Sequence, residues 1–367
     1  MERLITLLAA MLMAAFVLSS CAGSPARSEG QATDTGSGTD FAGLVDIGGD
    51  RQIYLECRGS GSPTVVLISG TQGAGDDWTH VLAPDGPQPS TSAVFEQAAT
   101  FTRVCIYDRP GTSHFGDEPN FSTPVTQPTT AEDGVADLAA LLTAAEEPGP
   151  YVLVGASWGG LIAQLYARLY PDDVAGLVFV DAASEFLQET LTATQWTNWM
   201  QVISASLSGT GVEVPDYEPS IQAVLDAGAV PDVPVVVLTS DQPWDLQVGD
   251  GSTWPAWLAA QERLAAALVA THVSQTGSGH AINVEQPQLV VDAIREVVDT
   301  TRGLNRETSP LTLVSRRSGE HDGFRWESAP MYSKGTSPLK NASTAIPEKT
   351  RRSRIMTWAQ QSTTPAR

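Results

Sequence analysis

The sequence predicts an α/β architecture: a mostly parallel central sheet with helices on both faces and a small helical cap. Three observations carry that expectation. From Gln52 onward, short apolar runs alternate with longer amphipathic ones, as in parallel strands joined by crossover helices. One run, YVLVGA, passes through a glycine-rich turn straight into a helix-like pattern. Between Ala182 and Asp232 the alternation is interrupted, and an insertion there sits above the carboxyl edge of such a sheet. The chain has 367 residues, 42% of them hydrophobic, enough to build a sizeable core.

At the N-terminus, Arg3 precedes an apolar run from Leu4 to Leu18, too short for a comfortable membrane span but suited to a signal peptide over residues 1–20. Leu18-Ser19-Ser20-Cys21 resembles the lipobox of bacterial lipoproteins, which implies cleavage before Cys21 and lipidation of its thiol. The expected location is extracytoplasmic, anchored to the bacterial cell membrane through Cys21, with plain secretion as the alternative. Stable anchoring needs more than one acyl chain, each buried CH₂ contributing about 0.8 kcal/mol. Residues 21–45 are polar and rich in Gly, Ser and Thr, and read as a flexible tether.

The α/β domain is expected over residues 46–301. Its strand candidates are IYLEC, TVVLIS, RVCIYD, YVLVGA, LVFVDA, VPVVVLTS and THVSQT. TTAEDGVADLAALLTAAEE reads as a helix opening at a Thr129-x-x-Glu132 capping box, with Val135, Leu138, Leu141 and Leu142 on its core face. Residues 182–232 form the cap; within it, Trp196, Trp199 and Met200 are candidates to line an apolar substrate pocket. QPQLVVDAIREVVDTT closes the domain.

Residues 302–367 change character. They hold 12 Lys or Arg against 5 Asp or Glu, few apolar residues and no period, so this basic tail is expected to be disordered and dispensable for catalysis. The whole chain is acidic, at −21, and so lacks the footprint of a nucleic-acid binder.

Gly155-Ala156-Ser157-Trp158-Gly159 fits G-x-S-x-G in the strand-to-helix context that gives this pattern meaning. A serine on so sharp a turn is strained, its Oγ lifted above the sheet, and the glycines are needed where a Cβ would strike neighbouring backbone. The helix opening near Trp158 aims its amides at the same spot and favours negative charge there. A serine hydroxyl needs an adjacent base. Of five histidines, His280 lies in a small-residue loop before the last helix and is the candidate; His272 reads as packed in a strand, His80 and His114 as near substrate-side loops, and His321 lies in the tail.

With these motifs the chain from Gln52 to Thr300 resembles the α/β-hydrolase superfamily: the elbow GASWGG, the histidine loop GSGHAI and YDRPGTS, similar to the Asp-Arg-x-Gly turn after the fourth strand. In that turn Asp108 and Arg109 are expected to brace loops. The resemblance implies an oxyanion hole from the N–H groups of Trp158 and of Thr71, in Ser69-Gly70-Thr71 where relatives show His-Gly-x, with Gln72 a secondary substrate-side candidate. It offers two places for the triad acid. Most relatives place it after the seventh strand, where Asp241 lies; others, at the end of the sixth, where Asp181 lies, and Asp181 is preferred. Because the second and fourth strands are sheet neighbours in the superfamily, Cys57 and Cys105 are expected to form a disulfide. In the chain-entropy model it stabilises by about 4 kcal/mol.

No metal-binding, P-loop or dinucleotide motif is present, so no cofactor and no metal are expected. The resulting expectation is a membrane-anchored serine hydrolase, a carboxylesterase or lipase type, cleaving a small-molecule ester through an acyl-enzyme. Acyl transfer, other cofactor-free chemistry on the same scaffold, and an inactive binding lipoprotein are the alternatives.

Overall fold

The computed structural model describes residues 39–206, 211–244 and 251–303. The expected signal peptide, Cys21 and the tail from residue 304 lie outside the described residues.

Eight strands form the central sheet: β1 (Phe41–Gly48), β2 (Arg51–Arg58), β3 (Thr64–Ile68), β4 (Val104–Tyr107), β5 (Tyr151–Ala156), β6 (Val174–Val180), β7 (Val235–Leu238) and β8 (Thr271–Val273). Their order is β1-β2-β4-β3-β5-β6-β7-β8. β1 and β4 run antiparallel to β2, and all the other pairings are parallel. The inner strands TVVLI, YVLVGA and VVVL are buried along their full length, as parallel strands covered on both faces must be.

The period-2 alternation of each inner strand divides its side chains between two cores. Val66, Ile68, Leu153, Leu177, Phe179 and Val237 face one; Val65, Leu67, Val152, Val154, Val178 and Leu238 face the other. Each fully buried side chain of this kind contributes about 1.5–3 kcal/mol before chain entropy is set against it. Helix α1 (Val94–Ala98) packs on the second core, while α2 (Ala131–Ala144) and α3 (Gly159–Leu169) pack on the first. The cap holds α4 (Leu187–Thr190), α5 (Ala193–Ser206) and α6 (Tyr217–Asp226). After β7 come α7 (Trp254–Ala267), on the first core, then α8 (Ile282–Glu285) and α9 (Pro287–Thr301), on the second.

Two details depart from the sequence expectation. The capping box is Thr130 with Asp133, not Thr129 with Glu132. Thr129 is instead drawn into an extended bridge with the cap: its N–H donates to the Val214 carbonyl and its own carbonyl accepts from Asp216, so the helix starts one residue later. The domain also begins earlier than residue 46, because β1 starts at Phe41 inside the expected tether. Only Val45 of that strand is buried, so hydrogen bonding to β2 rather than an apolar pattern makes it.

Cys57 and Cys105 are direct partners across the antiparallel β2–β4 pair, with Cα atoms 4.1 Å apart, and they are joined in a disulfide.

Candidate functional site

β5 ends at Ala156, and Ser157 turns the chain into α3 with φ of +48°. A non-glycine residue in that region is strained by roughly 1–3 kcal/mol and must be held there by its surroundings. The surroundings are tight: a Cβ on Gly155 would lie 2.6 Å from the Gly159 carbonyl oxygen, and one on Gly159 would strike the Ile68 carbonyl. The Ser157 main chain is clamped as well, its N–H donating to Val180 and its carbonyl accepting from Ala183 at 2.8 Å. No side chain caps α3, which leaves its first amides directed at the serine end.

Ser157 Oγ stands 3.0 Å from His280 Nε2, and His280 Nδ1 stands 2.6 Å from Asp181 Oδ2. An ionised carboxylate can only accept, so the Nδ1 position carries the ring proton and Nε2 is left to accept from the serine hydroxyl. Asp181 follows β6, is fully buried, and also has a positive φ of 42°. Its Oδ1 accepts from the Ser240 N–H and from the Trp257 indole, both at 3.0 Å, and its Oδ2 also accepts from the Trp244 indole at 3.1 Å. Trp244 lies over the His280 ring with centroids 4.1 Å apart, and Trp257 meets it edge-on at 5.5 Å.

Asp241, the other candidate acid, is exposed and turned to a different task. Its Oδ1 accepts from the Ser278 N–H at 3.1 Å, and its own N–H returns a bond to the Ser278 carbonyl. It ties β7 to the histidine loop. Glu285 holds the same loop by accepting from Gly279 N–H and Ser278 Oγ.

The loop after β3 runs over the serine: a Cβ on Gly70 would be 3.1 Å from Ser157 Cβ. Arg109, buried, donates to the Ser69 and Gly70 carbonyls at 2.9 and 2.6 Å and pairs with Glu213 at 2.7 Å. The opposing carboxylate outweighs burial and drives the Arg109 guanidinium still higher. Gln72, at φ of +60°, spends its N–H on Glu213 Oε2 at 2.7 Å, which removes that amide from the substrate-side role considered for it. The amides of Thr71 and Trp158 have no partner among the described residues. Both residues meet Tyr217 of α6. The Trp158 ring packs edge-on against it at 4.9 Å, and a hydrogen bond from Thr71 partly opposes the upward push that burial gives its phenol.

Most of the Trp196 and Trp199 surface is packed into the core beneath the cap. Their three-residue spacing puts both on the buried face of α5, where they are 6% and 4% exposed. The Trp196 indole donates to Glu218 at 2.9 Å, and Trp199 packs against Tyr217 and Trp257. Trp196 also edges a surface cavity of about 630 Å³ in the cap, together with Met200, Gln201 and Glu218. A second cavity, of about 340 Å³, reaches Trp158, Ile162, Arg109 and Glu213 beside the elbow.

His80 lies against Phe115 with its Nδ1 2.9 Å from the Asp76 carbonyl, and His272 reaches Thr239 from β8, where burial holds it below its ordinary value. His114 stands 3.2 Å from Asp108 and 3.3 Å from Asp76; the Asp108 contact, with help from Asp76, pushes its imidazole up to about 9 against burial. Asp108 meanwhile accepts from Gly75 N–H, so it braces the loop beside the oxyanion candidates. His321 lies outside the described residues. Among the described residues, one cluster of metal-ligand types occurs, Cys57, Cys105 and Glu147, and its two sulfurs are joined to each other.

Residues that the sequence did not single out are Trp244, Trp257, Ser240, Tyr217 and Glu213. They come from the seventh-strand loop, α7 and the cap, and no short motif marks them.

The sequence profile of the alpha/beta hydrolase family matches residues 65–293. A pimeloyl-[acyl-carrier protein] methyl ester esterase of Chromobacterium violaceum is 32% identical over 158 residues, 43% of this chain and 52% of that protein. An uncharacterized protein of Schizosaccharomyces pombe is 29% identical over 150 residues, 36% of this chain and 26% of its own length. The chain thus spans about a quarter to a half of these relatives. Among solved structures, a candidate lipase from Acinetobacter baumannii AYE aligns with a TM-score of 0.50 at 20% identity, covering 72% of this chain and 92% of that one.

Proposed function

The chain belongs to the alpha/beta hydrolase family, and from that premise we propose that it is a serine hydrolase cleaving a carboxylic ester in two steps. One observation carries the reading: the unbroken line of contacts from Ser157 Oγ through His280 to Asp181, at 3.0 and 2.6 Å. Ser157 Oγ attacks the ester carbonyl while its proton passes to His280 Nε2; the tetrahedral oxygen takes hydrogen bonds from the Thr71 and Trp158 amides. Collapse expels the alcohol, which leaves with the proton from His280. Water, deprotonated by the same nitrogen, then attacks the acyl-serine, and the acid departs as Ser157 recovers its proton.

The relative named as a methyl ester esterase supports an ester substrate over an amide. Localisation outside the cytoplasm, on a lipid anchor at Cys21, is part of the same proposal and rests on the sequence around Leu18-Ser19-Ser20-Cys21. No helix among the described residues is long and apolar enough to cross a membrane.

A panel of p-nitrophenyl esters of graded acyl length tests the reading. Release of nitrophenol that falls by about 10⁴- to 10⁶-fold in Ser157→Ala supports it; turnover equal in the two proteins sinks it.

A further inference from the structure

We propose that Trp244 and Trp257 are positioning residues whose indole N–H groups, standing where a cation or backbone amides would serve, hold the Asp181 carboxylate as the anion that orients His280. The inference rests on the serine-hydrolase reading for its catalytic consequence, but its structural core does not.

A fully buried carboxylate costs several kcal/mol unless its acceptor positions are filled. Asp181 is fully buried, and its four donors come from three stretches of the chain: Ser240 N–H and Trp257 on Oδ1, His280 and Trp244 on Oδ2. With about four lone-pair positions on a carboxylate, the set is complete. Two of the four donors are indoles, which donate and never accept and do not change charge with pH. They therefore fix both carboxylate oxygens in the accepting state.

The choice of donor matters electrically. Among the described residues, no Arg or Lys pairs with Asp181; its one ion-pair contact is His280. The most buried arginines are engaged elsewhere, Arg109 with Glu213, Arg168 with Glu185 and Arg103 with Glu147. A guanidinium at Asp181 would neutralise the charge that has to favour the imidazolium formed during reaction. Neutral indoles satisfy the carboxylate and leave its charge directed at His280 alone. The other carboxylates on the histidine loop, Asp241 and Glu285, are turned onto Ser278 and Gly279.

The Trp244 N–H is shared between Asp181 Oδ2 and Ser240 Oγ, both at 3.1 Å, and the Trp244 ring makes a further contact. It lies over His280 at 4.1 Å, tilted by 36°, where an aromatic face attracts a cation. That attraction exists only while the ring is protonated, so it favours the transition state over the resting enzyme. Trp244 and Trp257 also pack edge to face at 4.8 Å, which locks each indole in the orientation its N–H requires.

The test uses the full chain with Trp257→Phe and Trp244→Phe, which keep a ring and remove the donor. Tyr151→Phe serves as the control, since it loses a half-buried hydroxyl bond to the Glu147 main-chain carbonyl at the opposite end of β5 from Ser157. Trp257 is 5% exposed, so KM read beside kcat separates a loss of positioning from a change in substrate binding. The first readout is the low-field proton resonance of the His280 Nδ1–H bridge to Asp181, identified by its loss in His280→Gln. The second is kcat, per site titrated with a fluorophosphonate, alongside KM on a p-nitrophenyl ester.

The proposal expects the bridge resonance to move in both tryptophan variants and to stay in place in Tyr151→Phe. It expects kcat to fall by about tenfold or more in Trp257→Phe with KM within about twofold. An unmoved resonance in both variants overturns it, as does an unchanged kcat per titrated site. Should Trp257→Phe fail to fold, the half-buried Trp244→Phe decides by the same readouts. A wild-type protein that shows the bridge but turns over no ester refutes the hydrolase reading, while the resonance still decides the positioning role.

Discussion

Gln72 donates its main-chain N–H to the Glu213 carboxylate at 2.7 Å, across 141 residues of chain. This bond joins the cap to the loop after β3, and Arg109 completes the junction by gripping Glu213 with one edge of its guanidinium and the Ser69 and Gly70 carbonyls with the other. A loop held from both sides keeps the neighbouring Thr71 amide directed at one point in space.

Glu213→Ala should therefore damage both stability and rate. It strands a buried guanidinium, which costs about 3–5 kcal/mol, measurable as a lower urea midpoint at unchanged slope. It also frees the Thr71 amide, and kcat should fall by about 10²-fold, near the loss of one oxyanion donor. Glu213→Gln keeps an acceptor for Gln72 and should recover part of the rate. Equal kcat in all three proteins would remove the cap from the account.

Asp181→Asn and Asp241→Asn separate the two candidate acids. Asp181 contacts the His280 ring at 2.6 Å, whereas Asp241 bonds to Ser278. Asn at position 181 presents the wrong partner to Nδ1, so kcat should fall by about 10⁴-fold. Asn at position 241 loosens the loop and should cost less than about tenfold. Steady-state kinetics on one ester with both variants decides.

His114 makes stability depend on pH. Its pairing with Asp108 and Asp76 pushes the imidazole up from 6.5 to about 9, above its value in the unfolded chain. The folded state therefore binds this proton more tightly than the unfolded one. The contribution is fully present below pH 6.5 and fades as pH rises through about 9. The gap in thermal midpoint between wild type and His114→Gln should be widest below pH 6.5 and should close as pH rises from there through about 9. A gap that widens with rising pH would contradict the pairing.

The parts of this protein governed by local rules were legible in the sequence. The inner strands announce themselves because burial on both faces demands continuous apolar runs such as TVVLI and YVLVGA. Ser157 is marked by its glycines, since close backbone approach at Gly155 and Gly159 leaves no other residue. β1 was not legible: seven of its eight residues are not buried, and backbone pairing alone makes it a strand. The capping box slipped by one because two consecutive threonines fit the pattern, and the distant cap segment decides between them through Thr129. Trp244, Trp257 and Glu213 escaped for a related reason. Their roles arise from contacts 63, 76 and 104 residues away along the chain. Trp196 and Met200 do line a cavity of the cap, whereas Trp199 at the same helical spacing is packed away, because such spacing marks a buried face as readily as a pocket.

The most direct test of the central claim is covalent labelling of the folded protein with a small fluorophosphonate, read by intact mass and peptide mapping. The account predicts a single adduct on Ser157 in the wild type and no adduct in Ser157→Ala. It also predicts labelling slowed by about 10³-fold or more in His280→Gln, where the base is gone. A folded wild-type protein that takes up no label, or takes it at another residue, would contradict it.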